Sequence, residues 1–268
     1  MISQTKINPF NFGEYLACLG AAEVARQSGH RVRLGFKKRS QIATDFLLET
    51  DGDMDWSVLN PTPIQISDQR RGNIPLDAKT KNYGSVVLSL PCGAIELDWW
   101  FDDFLTKPIH CPFSGFPVEN KVREILGEIK KSAFDYYDLS TIMGLRVKNG
   151  TNMYFDRRDI SYALRSKLGF SPDMAGVKID SHPFVELLAL IGGQSFRFRR
   201  NLKKGGDTAT RYYVWESMLP FNEAMLAVFS PWDSLPGEKL FTTKVSPESA
   251  KGSYLYYEWS LTEQEFLR

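Results

Sequence analysis

Apolar side chains recur at Phe12, Tyr15, Leu16, Leu19, Ala22 and Val24, three and four residues apart, in a run that ends at Ser28-Gly29. That period winds them along a helix over residues 12–28, with Asn8-Pro9-Phe10-Asn11 as the entry turn. From Arg31 to Phe36 the period drops to two. Val32, Leu34 and Phe36 face one way and Arg31, Arg33 and Gly35 the other, which is the alternation of a half-buried strand with a cationic outer face. Residues 40–85 are broken by Asp51-Gly52, Asn60-Pro61-Thr62-Pro63, Arg71-Gly72-Asn73 and Asn82-Tyr83-Gly84, so short strands and loops are expected there. Val86–Leu90 and Ala94–Leu97 predict two strands about Pro91-Cys92-Gly93, with a helix beginning near Asp98.

Three prolines exclude regular structure from residues 107–117, and helical spacing returns over 118–131 through Val122, Ile125, Leu126 and Ile129. Leu139–Val147 and Met153–Phe155 predict strands. HPFVELLALI at 182–191 predicts a helix, with Pro183 in its first turn and Gly192-Gly193 as its stop. Residues 195–216 predict a hairpin around Gly205-Gly206, 221–229 a helix, and 238–245 and 254–260 the final strands. Strands and helices alternate irregularly, without a fixed-period repeat or a clean linker. The expected fold is α+β, a mixed or antiparallel sheet with packed helices, as one domain over 1–268 or as two pseudo-halves, 1–135 and 136–268.

Composition narrows the class. The 268 residues are 43% hydrophobic, enough for a large core, and no apolar run reaches membrane length. A soluble, cytoplasmic chain without a membrane partner is expected, and the odd, scattered Cys18, Cys92 and Cys111 fit a reducing compartment. The net charge of +1 conceals a strong asymmetry. Residues 31–39 carry five basic groups and no acid, residues 195–213 carry six and one acid, and the remainder therefore sums to −9. Such separation fits a polyanion site, or else a hairpin with a solvated cationic face.

The candidate binding residues follow from those two segments. Arg31, Arg33, Lys37, Lys38 and Arg39, with Arg197, Arg199, Arg200, Lys203, Lys204 and Arg211, are placed to meet phosphates. Tyr212, Tyr213 and Trp215 offer rings for base stacking, or else core filling.

Other motifs carry less. Asp51-Gly52-Asp53-Met54-Asp55 fails as a calcium loop, because Trp56 and Thr62 stand where Gly and Glu are required. Asp98 and Asp102 share a helix face without a nearby His. His30, His110 and His182 are isolated, so no metal site, cofactor or catalytic residue is assigned. His182 fits a helix cap or packing residue, or else an acid or base for RNA cleavage opposite His30 or a Tyr. FDRRD at 155–159 fits either internal salt bridges or a phosphate contact through one arginine.

INPFNFGEYLACLGAAEVA (7–25), ELDWW (96–100), YFDRRD (154–159), GFSPD (169–173), HPFVELLALIGGQSFRFR (182–199) and YYVWESMLP (212–220) together resemble a CRISPR-associated family. It comprises the third Csb proteins and related Csx sequences of type I-G loci, formerly I-U. The resemblance departs at KPIHCPFSGFPVENKV (107–122), where a Lys-Thr-Trp-Ala-Gly-Gln-Gln-like stretch is expected. It implies a subunit or accessory of an RNA-guided surveillance complex, with crRNA or target DNA and the other effector subunits as partners. It also implies a fold related to ferredoxin-like modules whose hairpins touch guide RNA. Two further readings stand beside this one: a metal-independent crRNA-processing ribonuclease, and an adaptor for the helicase-nuclease or large subunit.

Overall fold

The computed structural model describes residues 1–40, 43–60, 65–69, 85–97, 118–132, 138–150, 155–156, 158, 180–196, 200–204, 207–228, 239–247, 255–257 and 261–262. The fold is α+β. β1 (Ile2–Ile7), α1 (Phe12–Gln27), β2 (Val32–Lys38) and β3 (Thr44–Thr50) form the first unit. β3 lies antiparallel between β1 and β2, so β1, α1 and β2 make a split β-α-β connection. A ferredoxin-like module would return its last strand beside β1. Here β9 (Leu219–Pro220) pairs instead with β2, giving the order β1-β3-β2-β9.

β4 (Gln65–Gln69), β5 (Ser85–Leu90) and β6 (Gly93–Leu97) form an antiparallel meander. α2 (Val118–Lys131), α3 (Leu139–Gly144) and α4 (Pro183–Ser195) follow. β7 (Arg200–Lys204) and β8 (Asp207–Val214) form the expected hairpin, and α5 (Phe221–Ala227) comes after β9. β10 (Lys239–Pro247), β11 (Leu255–Tyr257) and β12 (Leu261–Thr262) complete an outer sheet of order β11-β10-β8-β7, with β12 also on β10.

The core is built on α1 and α4, which pack against each other along their lengths. Every residue of α1 from Phe12 to Ala25, and of α4 from Pro183 to Gly193, is buried. Helices enclosed on all sides need no polar face, so the one-sided pattern read in residues 12–28 understates how much of α1 is covered. Their backbones meet at two glycines. A Cβ on Gly20 would lie 1.9 Å from the Leu188 carbonyl oxygen, and one on Gly192 would lie 2.1 Å from that of Leu16. Gly192-Gly193 therefore does not end the helix, which runs on to Ser195; Gly192 is required by the crossing.

Leu139–Val147 is also not a strand. The Asp138 side chain accepts from the Thr141 N–H at 2.8 Å and from its hydroxyl at 2.6 Å, capping α3 instead. Phe155 is likewise outside any strand. The helix start near Asp98 and the irregular stretch 107–117 lie outside the described residues, and within those residues no helix is long and apolar enough to cross a membrane.

Candidate functional site

β2 buries Val32, Leu34 and Phe36 and exposes Arg33, Lys37 and Lys38, with Arg31 and Arg39 exposed at its ends, but Gly35, expected on the outer face, is covered by Ser217 and Met218. Its neighbour changes the charge. Antiparallel pairing sets Glu49 opposite Arg33 and Asp45 opposite Lys37. Arg33 Nη1 lies 3.2 Å from Glu49 Oε2, and its other terminal nitrogen donates to the Met218 carbonyl at 3.0 Å. Arg31 donates to Asp51 through its backbone at 3.1 Å and its Nε at 3.2 Å, and Arg39 pairs with Asp45. Three carboxylates of β3 and its flank thus reduce the +5 of residues 31–39 to +2. Among the described residues Lys37 and Lys38 have no such partner.

The hairpin is rearranged by its own register. Arg197 and Arg199 lie outside the described residues. A bulge between Arg200 and Leu202 sets Arg200 opposite Thr210 but Leu202 opposite Ala209. Lys203 pairs with Thr208 and Lys204 with Asp207. Residues directly opposite in a ladder share a face, and alternate residues along a strand change face. Tyr212 and Val214 therefore stand on one side of β8 and Tyr213 on the other. β10 adds Lys244, in register with Ala209, to the same sheet. The sequence pattern did not single out Lys244, because only the β8–β10 register brings it there.

The aromatic expectations divide in the same way. Tyr212 and Trp215 are both 0% exposed, so neither is available to a base. Tyr212 sits 4.5 Å, centroid to centroid, from Tyr15, and Trp215 meets Phe36 edge-on at 5.3 Å. Their polar ends are also used, the Tyr212 hydroxyl donating to the Pro9 carbonyl at 2.8 Å and Trp215 Nε1 to that of Leu34 at 3.4 Å. These rings anchor the outer sheet to the core. Tyr213, on the opposite side, is half-buried. The anchor also joins the two cationic regions, since the Phe36 N–H donates to the Trp215 carbonyl at 2.9 Å, one residue before Lys37 and Lys38.

A buried polar centre lies where the first turns of α1 and α4 meet. Asp156 Oδ1 accepts from Asn11 Nδ2 at 2.8 Å, and Oδ2 accepts from His182 Nδ1 at 3.0 Å and Arg158 Nε at 2.9 Å. Arg158 also donates to the Met143 carbonyl and faces Glu14 Oε1 at 3.6 Å. Glu186 accepts from the backbone N–H groups of Phe155 and Asp156, at 3.3 and 3.1 Å. Of the two uses open to FDRRD, Arg158 takes the internal one; Arg157 and Asp159 lie outside the described residues.

His182, 7% exposed and hydrogen-bonded to Asp156, takes the packing use expected for it at the start of α4. His30 hydrogen-bonds Asp51 at 3.2 Å. No three His, Cys, Asp or Glu side chains converge as metal ligands among the described residues.

The two carboxyls of this centre are pushed apart. For Asp156, burial acts upward, but the His182 hydrogen bond and the Arg158 charge outweigh it and hold the group well below the usual carboxylate range. For Glu14 burial prevails over Arg158, and the carboxyl is pushed up to about 7 from 4.5. A raised carboxyl pKa means that the folded state holds its proton more tightly. Stability from Glu14 is therefore fully present below pH 4.5 and lost as pH rises through about 7. Glu14→Gln keeps an oxygen for Asn8 N–H and Asn11 Nδ2 but cannot ionise. Relative to the parent, the variant should gain about 3 kcal/mol between pH 4.5 and 8.5, measured by urea melts. Parallel pH profiles would refute this.

The chain is thus an α+β protein with an outer sheet anchored to its core through Tyr212 and Trp215. No protein-family model, curated protein or solved structure significantly matches it.

Proposed function

We propose that the chain is a non-catalytic, nucleic-acid-binding subunit or accessory of a type I CRISPR RNA-guided surveillance complex, acting in the cytoplasm. Its partners are crRNA or target DNA and the other effector subunits. The observation that carries this reading is the register of β7, β8 and β10, which gathers the basic positions Lys204, Arg211 and Lys244 into one sheet. Lys37 and Lys38 extend the charge at the Phe36–Trp215 junction. Basic positions gathered on one sheet suit the phosphate backbone, leaving sequence readout to guide pairing. The resemblance of the segments at 7–25, 182–199 and 212–220 supplies the complex.

The test is charge reversal. Changing Lys204, Arg211 and Lys244 to Glu should remove about three phosphate contacts, flatten the salt dependence of single-strand binding by about 2 log units per log unit, and weaken binding at least tenfold at low salt. Filter binding measures it. Unchanged affinity and slope would discard this sheet.

A further inference from the structure

The first sheet gathers a second group of charges at one end. Asp45 of β3 stands directly opposite Lys6 of β1 on one side and Lys37 of β2 on the other, so the three share the face turned away from buried Phe36 and Phe46. Across the middle strand the two lysines are about 10 Å apart. Asp45 is nonetheless covered, its side chain only 4% exposed. Arg39 reaches back over it. The N–H groups of Arg39 and Ser40 both donate to the Ala43 carbonyl at 3.0 Å, closing the turn between β2 and β3, and Arg39 Nε donates to Asp45 Oδ2.

That bond uses one edge of the guanidinium. Among the described residues Arg39 Nη1 and Nη2, Lys6 and Lys37 have neither a hydrogen bond nor an ion pair, and the Arg39 side chain is 55% exposed. Asp45 Oδ1 has no donor, although a lysine stands in register on either side, so neither ammonium is spent on this acid. The next row of the face, Gln4, Leu47 and Gly35, is uncharged, and Glu49 beyond it pairs with Arg33. Three cations over one buried carboxylate leave a net charge of +2.

We infer that this row is a phosphate site, taking one phosphate of a polynucleotide backbone on the outward edge of Arg39 and the flanking phosphates on Lys6 and Lys37. The site rests on the nucleic-acid reading above and extends it beyond the outer sheet, through a residue, Lys6, that belongs to neither basic segment of the sequence. A guanidinium suits the central place because its donors form a rigid fork. Nε stays on the carboxylate while the terminal nitrogens meet the phosphate, a division that a single ammonium cannot make. Asp45 acts as a positioning residue, since three like charges so close together would otherwise repel one another away from a shared anion.

Two exposed, unpaired lysines can be removed without touching the core. Lys6→Gln combined with Lys37→Gln should melt like the parent, lower the salt slope for a fluorescently labelled thymidine dodecamer by about 1.4, and weaken its binding roughly tenfold at low salt, equally for the same dodecamer made abasic. Lys130→Gln combined with Lys131→Gln removes the same charge from the exposed end of α2 and should leave the slope unchanged. Arg39→Lys keeps the charge and a partner for Asp45 but gives up the fork; it should weaken binding roughly three- to tenfold and lower the slope by about 0.7.

Parent-like affinity and slope in the Lys6–Lys37 variant would remove the site, and a lower melting temperature beside them would show that the lysines serve Asp45 instead. An equal loss in the Lys130–Lys131 variant would also overturn it, because net charge alone would then account for binding. A parent-like Arg39→Lys would strike Arg39 from the site. Charge reversal on the outer sheet separates the two readings. Where that reversal weakens binding and the lysine pair does not, the nucleic-acid reading stands and this site falls; where neither weakens it, both fall.

Discussion

Gly192→Ala is expected to abolish cooperative folding. The single methyl group it adds would sit 2.1 Å from the Leu16 carbonyl oxygen and 2.8 Å from the Gly20 amide nitrogen, both backbone atoms of a buried helix. Backbone cannot swing aside as a flexible side chain can. α1 and α4 would have to separate by more than an ångström, opening gaps along a contact in which almost every side chain is covered. Overpacking commonly costs about 1–3 kcal/mol, and a clash between two helix backbones belongs at or above the top of that range, a large part of the stability of an ordinary domain. The control is Gly127→Ala on α2, where an added Cβ meets nothing within 4 Å and higher helix propensity should be neutral or favourable by up to about 1 kcal/mol. Thermal melts followed by circular dichroism measure both. A sharp, parent-like transition for Gly192→Ala would mean that the helices do not cross at these glycines. Gly20→Ala should be as harmful, and the double variant less harmful than the sum, because both methyls press on one contact.

Asp156→Ala should have the second largest effect. It removes the acceptor of Asn11, Arg158 and His182 together, leaving Arg158 with the neutral Met143 carbonyl and the more distant Glu14 among its partners. Breaking a buried ion pair by removing one partner costs about 3–5 kcal/mol, chiefly because the other charge is left desolvated. The cost should fall when the orphan is removed as well. Asp156→Ala combined with Arg158→Met is therefore expected to be more stable than Asp156→Ala alone, a coupling that urea melts of the four proteins would reveal. Strictly additive losses would show that the two side chains do not depend on each other.

These two features differ in how visible they are in the amino-acid order. α1, β2 and α2 are legible because each spaces its apolar residues at one period, α4 because Pro183 opens an apolar run, and the hairpin and β5–β6 because turn residues punctuate apolar runs. Much of the candidate site is not. Whether Arg33 is free or paired depends on Glu49 standing opposite it, which is a matter of register rather than of local pattern. Lys244 joins the sheet of Lys204 and Arg211 only through β8–β10 pairing, and the bulge in β7 shifts the register between Arg200 and Leu202. Tyr212, Tyr213 and Trp215 look equivalent in the sequence, yet two are core and one is half-open. The buried centre was hidden by distance, since Asn11 and Asp156 are 145 residues apart. A polar Asn and Glu at the start of an otherwise apolar helix were the available signal. For α3, the Asp138 cap outweighed the apolar run that suggested a strand.

The pairing of α1 with α4 also bears on how the chain leaves the ribosome. At about 5–20 residues per second, the 172 positions between Gly20 and Gly192 take roughly 10–30 s to synthesise, and the Tyr15–Tyr213 contact takes longer. Throughout that interval α1 presents an apolar surface whose mate has not yet been made. Nascent protein of this kind calls for a holding chaperone, and slower translation lengthens the exposure.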